Sequence, residues 1–262
     1  MSLSAIDADF ELLCDAAKEA SDIAMHYFRR ASLHVEFKEN DSPVSEGDYA
    51  VDKFLRENLR AVRPDYGWLS EETADENPTD RMSRQHTFIV DPIDGTRAYV
   101  SGRNTWCISI AIVENGRPVA GILACPALGE TFAAKVSDSP HLYADGQDAH
   151  AVIGGRGKLV TQLSKTLPEM HIEESGYVPS LAYRIAMVAD GRLQGTFIRK
   201  HAHEWDLAAA DLIATNAGVQ LVDKSGAPVI YNRHNPKLDE LVCAKPALIK
   251  PMLHVVREQS IR

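Results

Sequence analysis

Two apolar runs, residues 108–113 and 119–123, flank Asn115-Gly116, and no other feature of the chain constrains its fold as tightly. Asn and Gly both tolerate positive φ, the conformation that closes a tight hairpin, so this segment reads as an antiparallel β-hairpin. Residues 131–134 suit a further strand. Phe10, Leu13, Ala17, Ala20, Ala24 and Tyr27 recur at steps of three or four, which predicts an amphipathic helix over residues 5–30. A second helix is predicted over residues 45–62, ended by Arg63-Pro64-Asp65-Tyr66-Gly67. Short strands are expected at Trp68-Leu69 and residues 88–90, with a polar surface loop over residues 73–86. In the second half the pattern predicts helices over 180–190, 206–217 and 246–257, and strands at 195–198, Leu221-Val222 and 241–244. Helices and strands mix without strict alternation, so the fold class is α+β with layered sheets rather than a barrel.

Composition narrows the function. At 262 residues, 45% hydrophobic and 25% charged, the chain has the makeup of a globular protein with a sizeable core. No apolar run approaches the roughly 20 residues a membrane helix needs. The first residues are acidic where a signal peptide is basic, which predicts a cytoplasmic protein. The net charge of −9, with basic residues dispersed, argues against direct nucleic-acid binding. Cys14, Cys107, Cys125 and Cys243 form no CxxC pair and read as reduced thiols.

The chemistry concentrates in Phe88-Ile89-Val90-Asp91-Pro92-Ile93-Asp94-Gly95-Thr96. An apolar strand runs into two carboxylates three residues apart. Pro92 keeps its predecessor out of helix, so the acids leave the strand in a turn. Gly95-Thr96 then opens a short helix over residues 96–100, whose free N–H groups and Thr96 hydroxyl make a seat for phosphate. Carboxylates beside an anion seat repel the anion unless a divalent cation intervenes, and all-oxygen ligands that must also coordinate phosphate favour Mg²⁺. Ser70-Glu71-Glu72 follows another strand end. Strand alternation would send Glu71 and Glu72 to opposite sides, leaving one of them as a ligand. Glu204-Trp205-Asp206 begins a helix, where Asp206 serves as N-cap, as metal ligand, or as both.

These segments resemble the inositol monophosphatase family of lithium-sensitive, magnesium-dependent phosphatases. The family's Glu-Glu pair, its D-P-[IL]-D-G-T block and its W-D-x-A-A block appear in order as Glu71-Glu72, Asp91 to Thr96, and Trp205-Asp206-Leu207-Ala208-Ala209. The resemblance implies a layered α/β/α/β/α sandwich, commonly a homodimer, acting on a small phosphorylated metabolite. It implies two to three Mg²⁺ ions: one on Glu71, Asp91 and the Ile93 carbonyl, another on Asp91, Asp94 and Asp206, with a third, weaker ion on Glu71. It implies that Asp48 and Thr96 orient the attacking water and that the Gly95 and Thr96 N–H groups receive the phosphate. On this reading residues 1–140 form a lobe with most metal ligands, and residues 141–262 form one supplying Asp206 and the substrate-side wall.

Departures from the family pattern bear on substrate. Ser70 replaces a common Gly, and Arg97 follows the D-G-T block. Arg199 stands where relatives acting on inositol carry Glu; a guanidinium donates only, and binds a second phosphate or a carboxylate bidentately. Arg184 matches a basic position of 3′(2′),5′-bisphosphate nucleotidases, and His203 stands at the substrate edge. Hydrolysis of an inositol-1-phosphate-like monoester is therefore expected, with a bisphosphate nucleotidase or a histidinol-phosphate phosphatase as alternatives. A non-enzymatic role as partner of the transcription machinery is separable by Asp94→Asn, which a scaffold would tolerate.

Overall fold

The computed structural model describes residues 3–38, 41–138, 149–155 and 157–260. In chain order the first elements are α1 (Leu3–Tyr27), β1 (Val35–Phe37), β2 (Pro43–Ser45), α2 (Glu46–Val62) and β3 (Gly67–Ser70). There follow α3 (Pro78–Ser83), β4 (His86–Asp94), α4 (Thr96–Val100), β5 (Cys107–Glu114), β6 (Arg117–Cys125) and β7 (Glu130–Lys135). The second half holds β8 (His150–Gly154), α5 (Gly157–Thr166), β9 (His171–Glu174), α6 (Leu181–Ala189) and β10 (Gly195–Ile198). It ends with α7 (Ala208–Asn216), β11 (Gln220–Asp223), β12 (Leu241–Ala244) and α8 (Pro246–Ser260).

The described residues build two five-stranded sheets. The first has the order β3-β4-β5-β6-β7 and the second β11-β12-β10-β8-β9. β4 is buried along its whole length. Its alternating side chains serve two cores, Phe88 and Val90 on one side and Ile89 on the other. A strand covered on both faces reads as an unbroken apolar run. Asn115 (φ 52°) and Gly116 (φ 74°) both take left-handed conformations, closing the expected hairpin between β5 and β6.

On one face of the first sheet, α1 buries Leu13, Ala17, Ala20 and Ala24 and α2 buries Val51, Leu55 and Leu59 against Phe88, Ile108, Ile110 and Ile112. On the other face α6 and α7 fill the space between the sheets, meeting Ile198, Leu221, Leu241 and Cys243 of the second. α5 and α8 cover the far side of that sheet. The sequence of layers is α/β/α/β/α.

Several boundaries differ from expectation. The loop expected over 73–86 contains α3, capped by Asn77 with Pro78 at its start. The helix expected from Asp206 begins at Ala208, with Leu207 at its cap position. The β1–β2 pair, β8 and β9 lie outside the expected elements because strands of three to five residues carry too few positions to display a period; the helix α5 lies outside them as well. The expected lobe boundary at 140/141 lies outside the described residues. All four cysteines are free thiols, and no described helix is long and apolar enough to cross a membrane.

Candidate active site

The regular β4–β5 pairing breaks between Asp91 and Asp94. Within that bulge the Asp91 carboxylate accepts the Ile93 N–H at 3.0 Å, holding the turn around Pro92. Gly95 follows at φ 93°, ψ 35° and starts α4. A Cβ at Gly95 would lie 3.0 Å from Ser180 Cβ and 3.1 Å from the Thr105 carbonyl, so both conformation and space require glycine.

Two further acids are brought to this turn. Parallel pairing of β3 with β4 continues one residue past the strand, where the Glu71 N–H meets the Val90 carbonyl at 3.3 Å. Asp206 lies in the turn before α7, its Oδ2 accepting the His203 N–H at 2.8 Å. That turn is anchored by the fully buried Glu204, which accepts the Asn232 N–H at 2.6 Å, the Arg233 N–H at 3.1 Å and the Arg233 Nε at 3.0 Å. Oxygens of Glu71, Asp91 and Asp206 thereby lie within 4.8 Å of one another. Asp94 stands beside this trio, with Oδ2 turned to the start of α6, where it accepts Ser180 Oγ at 2.5 Å and the Ala182 N–H at 2.6 Å.

The electrostatics follow from this crowding. Burial, then the charges of Glu71, Asp94 and Asp206, push the Asp91 pKa well up. Asp206 is raised by burial and by Asp94 and Glu71. Burial pushes Asp94 up to about 6 against the donors from α6. Carboxylates so close share the site only with protons or a cation among them. The all-oxygen donor set fits a hard divalent ion.

Lys38, between β1 and β2, was missed by sequence reasoning. Its Nζ bridges Glu71 Oε1 at 2.9 Å and Glu72 Oε1 at 2.8 Å. Burial opposes the ammonium, but the two carboxylates outweigh it and its pKa is raised. The expectation that alternation separates Glu71 from Glu72 is therefore corrected: both reach one cation. β3 ends at Ser70, and the chain then wraps around Asp52, which accepts Ser70 Oγ at 2.5 Å and Thr73 Oγ1 at 2.6 Å. No spacing in the sequence marks Lys38; a cluster of buried acids signals only that some counter-charge is needed.

Asp48 sits in the first turn of α2, its Oδ2 accepting both the N–H (2.8 Å) and the hydroxyl (2.5 Å) of the N-cap Ser45. Burial pushes its pKa up to about 6 despite those donors. The Thr96 hydroxyl has one proton for two acceptors, the Ile93 carbonyl at 3.0 Å and Asp48 Oδ1 at 3.3 Å.

Next to the acids opens a cavity of about 320 Å³ lined by Tyr177, Arg184, Phe197, Arg199, Lys200 and His201, among others. Its wall continues into the acid cluster on two sides: Leu181 precedes the Ala182 N–H that binds Asp94, and Ala202 precedes the His203 N–H that binds Asp206. Arg184 is a built-in part of the wall, donating to Thr196 Oγ1 at 3.0 Å and the Val178 carbonyl at 3.2 Å. Burial pulls its pKa down. Arg199 is exposed and makes no hydrogen bond or ion pair among the described residues. His203 is not among the residues lining the cavity; it stacks on Trp205, ring centroids 4.5 Å apart.

A buried acid cluster beside a cation-lined cavity, within an α/β/α/β/α sandwich, describes a phosphomonoesterase, and comparison with known proteins agrees. The sequence profile of the inositol monophosphatase family matches residues 7–261. The chain is 27% identical over 236 residues to the 3′(2′),5′-bisphosphate nucleotidase CysQ of Aggregatibacter actinomycetemcomitans, covering 85% of this chain and 88% of that one. It is 30% identical over 235 residues to the histidinol-phosphatase of Chlorobaculum parvum, covering 86% and 89%. An inositol monophosphatase from Zymomonas mobilis superposes with a TM-score of 0.74 at 25% identity, over 98% of this chain and all of that one. The chain belongs to the inositol monophosphatase family.

Proposed function

We propose that this phosphomonoesterase hydrolyses a small phosphate monoester, of the inositol-1-phosphate kind, with Mg²⁺ held by Glu71, Asp91, Asp94, Asp206 and the Ile93 carbonyl. The observation that carries the proposal is the convergence of Glu71, Asp91 and Asp206 oxygens within 4.8 Å of one another. Mg²⁺ at such carboxylates supplies Lewis-acid activation of water and compensates the charge of the phosphoryl group.

The remaining work falls to the chain itself. Asp48, with a pKa of about 6, is ionised at neutral pH and takes a proton through Thr96 Oγ1, 3.3 Å away. A water held by Thr96 would thereby be oriented toward phosphorus, with no covalent intermediate required. The Gly95 and Thr96 N–H groups, at the start of α4 where no side chain caps the helix, receive phosphoryl oxygens. In keeping with the family, we place the enzyme in the cytoplasm as a Li⁺-sensitive homodimer.

A second reading rests on the cavity. Arg184, Arg199, Lys200 and His201 favour a substrate with a second anionic group, such as a 3′(2′),5′-bisphosphate nucleotide, the substrate class named for the Aggregatibacter relative. Histidinol phosphate, the substrate class named for the Chlorobaculum relative, carries no second anion. A substrate panel with wild type and Arg199→Ala separates these. If Arg199 grips a second phosphate, a charge-assisted hydrogen bond of about 1.5–3 kcal/mol is lost, and kcat/KM for the bisphosphate falls roughly 10- to 150-fold. Inositol 1-phosphate turnover then stays within about twofold. An equal effect on both substrates rejects the bisphosphate reading.

A further inference from the structure

We propose that His150, His171 and Glu173 form a second metal site, distinct from the acid cluster and suited to a transition-metal ion such as Zn²⁺, Ni²⁺ or Cu²⁺. β8 and β9 pair in parallel with His150 opposite His171 and Val152 opposite Glu173. β9 is the edge strand of the second sheet. His171 and Glu173, two residues apart, point to the same face, and the opposite face carries Ile172, packed on the core beneath α5 and α8.

The ladder spacing brings the two imidazoles into a stack with centroids 5.1 Å apart and planes inclined by 18°. The Glu173 carboxylate closes the group, its Oε2 lying 3.3 Å from His150 Nε2. One donor atom from each of the three residues falls within 4.8 Å of the others. A tetrahedral ion with bonds of about 2.1 Å needs donors about 3.4 Å apart, a contraction that small side-chain rotations supply. His150 and Glu173 side chains are 50% and 59% exposed, so an ion reaches them from solvent.

Two imidazoles and one carboxylate are a nitrogen-rich set. That set discriminates against Mg²⁺ and for the later divalent metals, the reverse of the all-oxygen cluster around Asp91. An exposed pair between His150 and Glu173 alone would contribute little and would leave the stacked His171 unexplained. The location gives such an ion a consequence. β8 runs into Gly155 and β9 into Ser175, and both residues line the cavity beside the acid cluster. An ion bridging the strands would clamp the start of the β8–β9 pair, whose far end becomes that wall.

The test is a calorimetric titration of the full-length protein with NiCl₂ in millimolar MgCl₂, which keeps the carboxylate cluster filled, comparing wild type with His150→Asn/His171→Asn. Wild type should bind one further equivalent, and the double variant should bind it at least about tenfold more weakly, the size of effect that losing even an outer partner of a metal ligand produces. Because all three side chains are exposed, far-ultraviolet circular dichroism should be the same for both. Electron paramagnetic resonance of Cu²⁺-loaded wild type should show two imidazole nitrogens, and His171→Asn one. Identical isotherms for wild type and double variant, or a copper spectrum with a single nitrogen in wild type, would overturn the site. Either readout is independent of phosphatase activity, so it stands or fails separately from the reaction proposed above.

Discussion

Withdrawing the Lys38 ammonium leaves Glu71 and the nearly buried Glu72 without their shared counter-charge. Lys38→Gln should therefore destabilise the metal-free protein by about 1–2 kcal/mol, between the values for surface and buried pairs. At this chain length that is a melting temperature lower by roughly 2–8 °C. Mg²⁺ meets a more negative site in the variant, so the upward thermal shift it causes should exceed that of wild type. An equal shift in both proteins would show that Lys38 and the metal do not compete for the same oxygens. The acids in one strand and its turn, Asp91 and Asp94, could be read from local spacing, whereas Lys38 reaches Glu71 across 33 residues of chain. Such a contact exists only once the β1–β2 pair and β3 are placed side by side. The stack of His203 on Trp205 is hidden in the same way, since neighbouring positions in a turn leave ring orientation open.

Short elements position the site, and they differ in how openly the sequence declares them. α4 and the β5–β6 hairpin follow from Gly95 and from Asn115-Gly116, residues whose backbone freedom acts locally. β9, with four largely exposed residues, has no apolar period to read, and it is defined by pairing with β8. The start of α7 was misplaced by two residues because Asp206 resembles an N-cap, while its carboxylate folds back to the His203 N–H instead. Gly95→Ala tests the turn that joins β4 to α4. The added Cβ meets Ser180 and the Thr105 carbonyl and is strained at φ 93°. A displacement of about 1 Å at the seat of the reaction costs on the order of 10²-fold in rate, and that loss of kcat is the expected result. Ser180→Ala removes the cap of α6 and a donor to Asp94. It should cost about 1 kcal/mol of stability and raise the Mg²⁺ concentration needed for half-maximal rate. Unchanged Mg²⁺ dependence would free Asp94 from its link to α6.

Across the whole molecule, the raised carboxylate pKa values make stability depend on pH and on metal together. Asp48 and Asp94 at about 6 and Glu72 at about 7 bind protons more tightly folded than unfolded, where 3.8 and 4.5 are ordinary. The metal-free protein should therefore become more stable as pH falls from about 8 toward 5 and lose that gain as pH rises again. Burial lowers the His203 pKa from its ordinary 6.5, and that single group opposes this trend. Saturating Mg²⁺ needs the ionised carboxylates and should flatten the dependence. Asp211 stays raised to about 6 by burial beside Tyr231, away from the acid cluster, and should leave a residual slope. Thermal unfolding from pH 5 to 8 with EDTA or with Mg²⁺ reads these curves, and a metal-free protein that loses stability steadily below pH 7 would contradict the electrostatic account.

In the proposed reaction the Asp91 carboxylate joins the cations to the chemistry. Asp91→Asn keeps an oxygen to accept the Ile93 N–H and removes a charge that burial and its neighbours already oppose. Phosphate release from inositol 1-phosphate, followed across a Mg²⁺ titration for wild type and Asp91→Asn with folding checked by circular dichroism, tests it directly. Wild type should show saturable Mg²⁺-dependent turnover and the folded variant none. A folded Asp91→Asn protein with the wild-type Mg²⁺ dependence would contradict it.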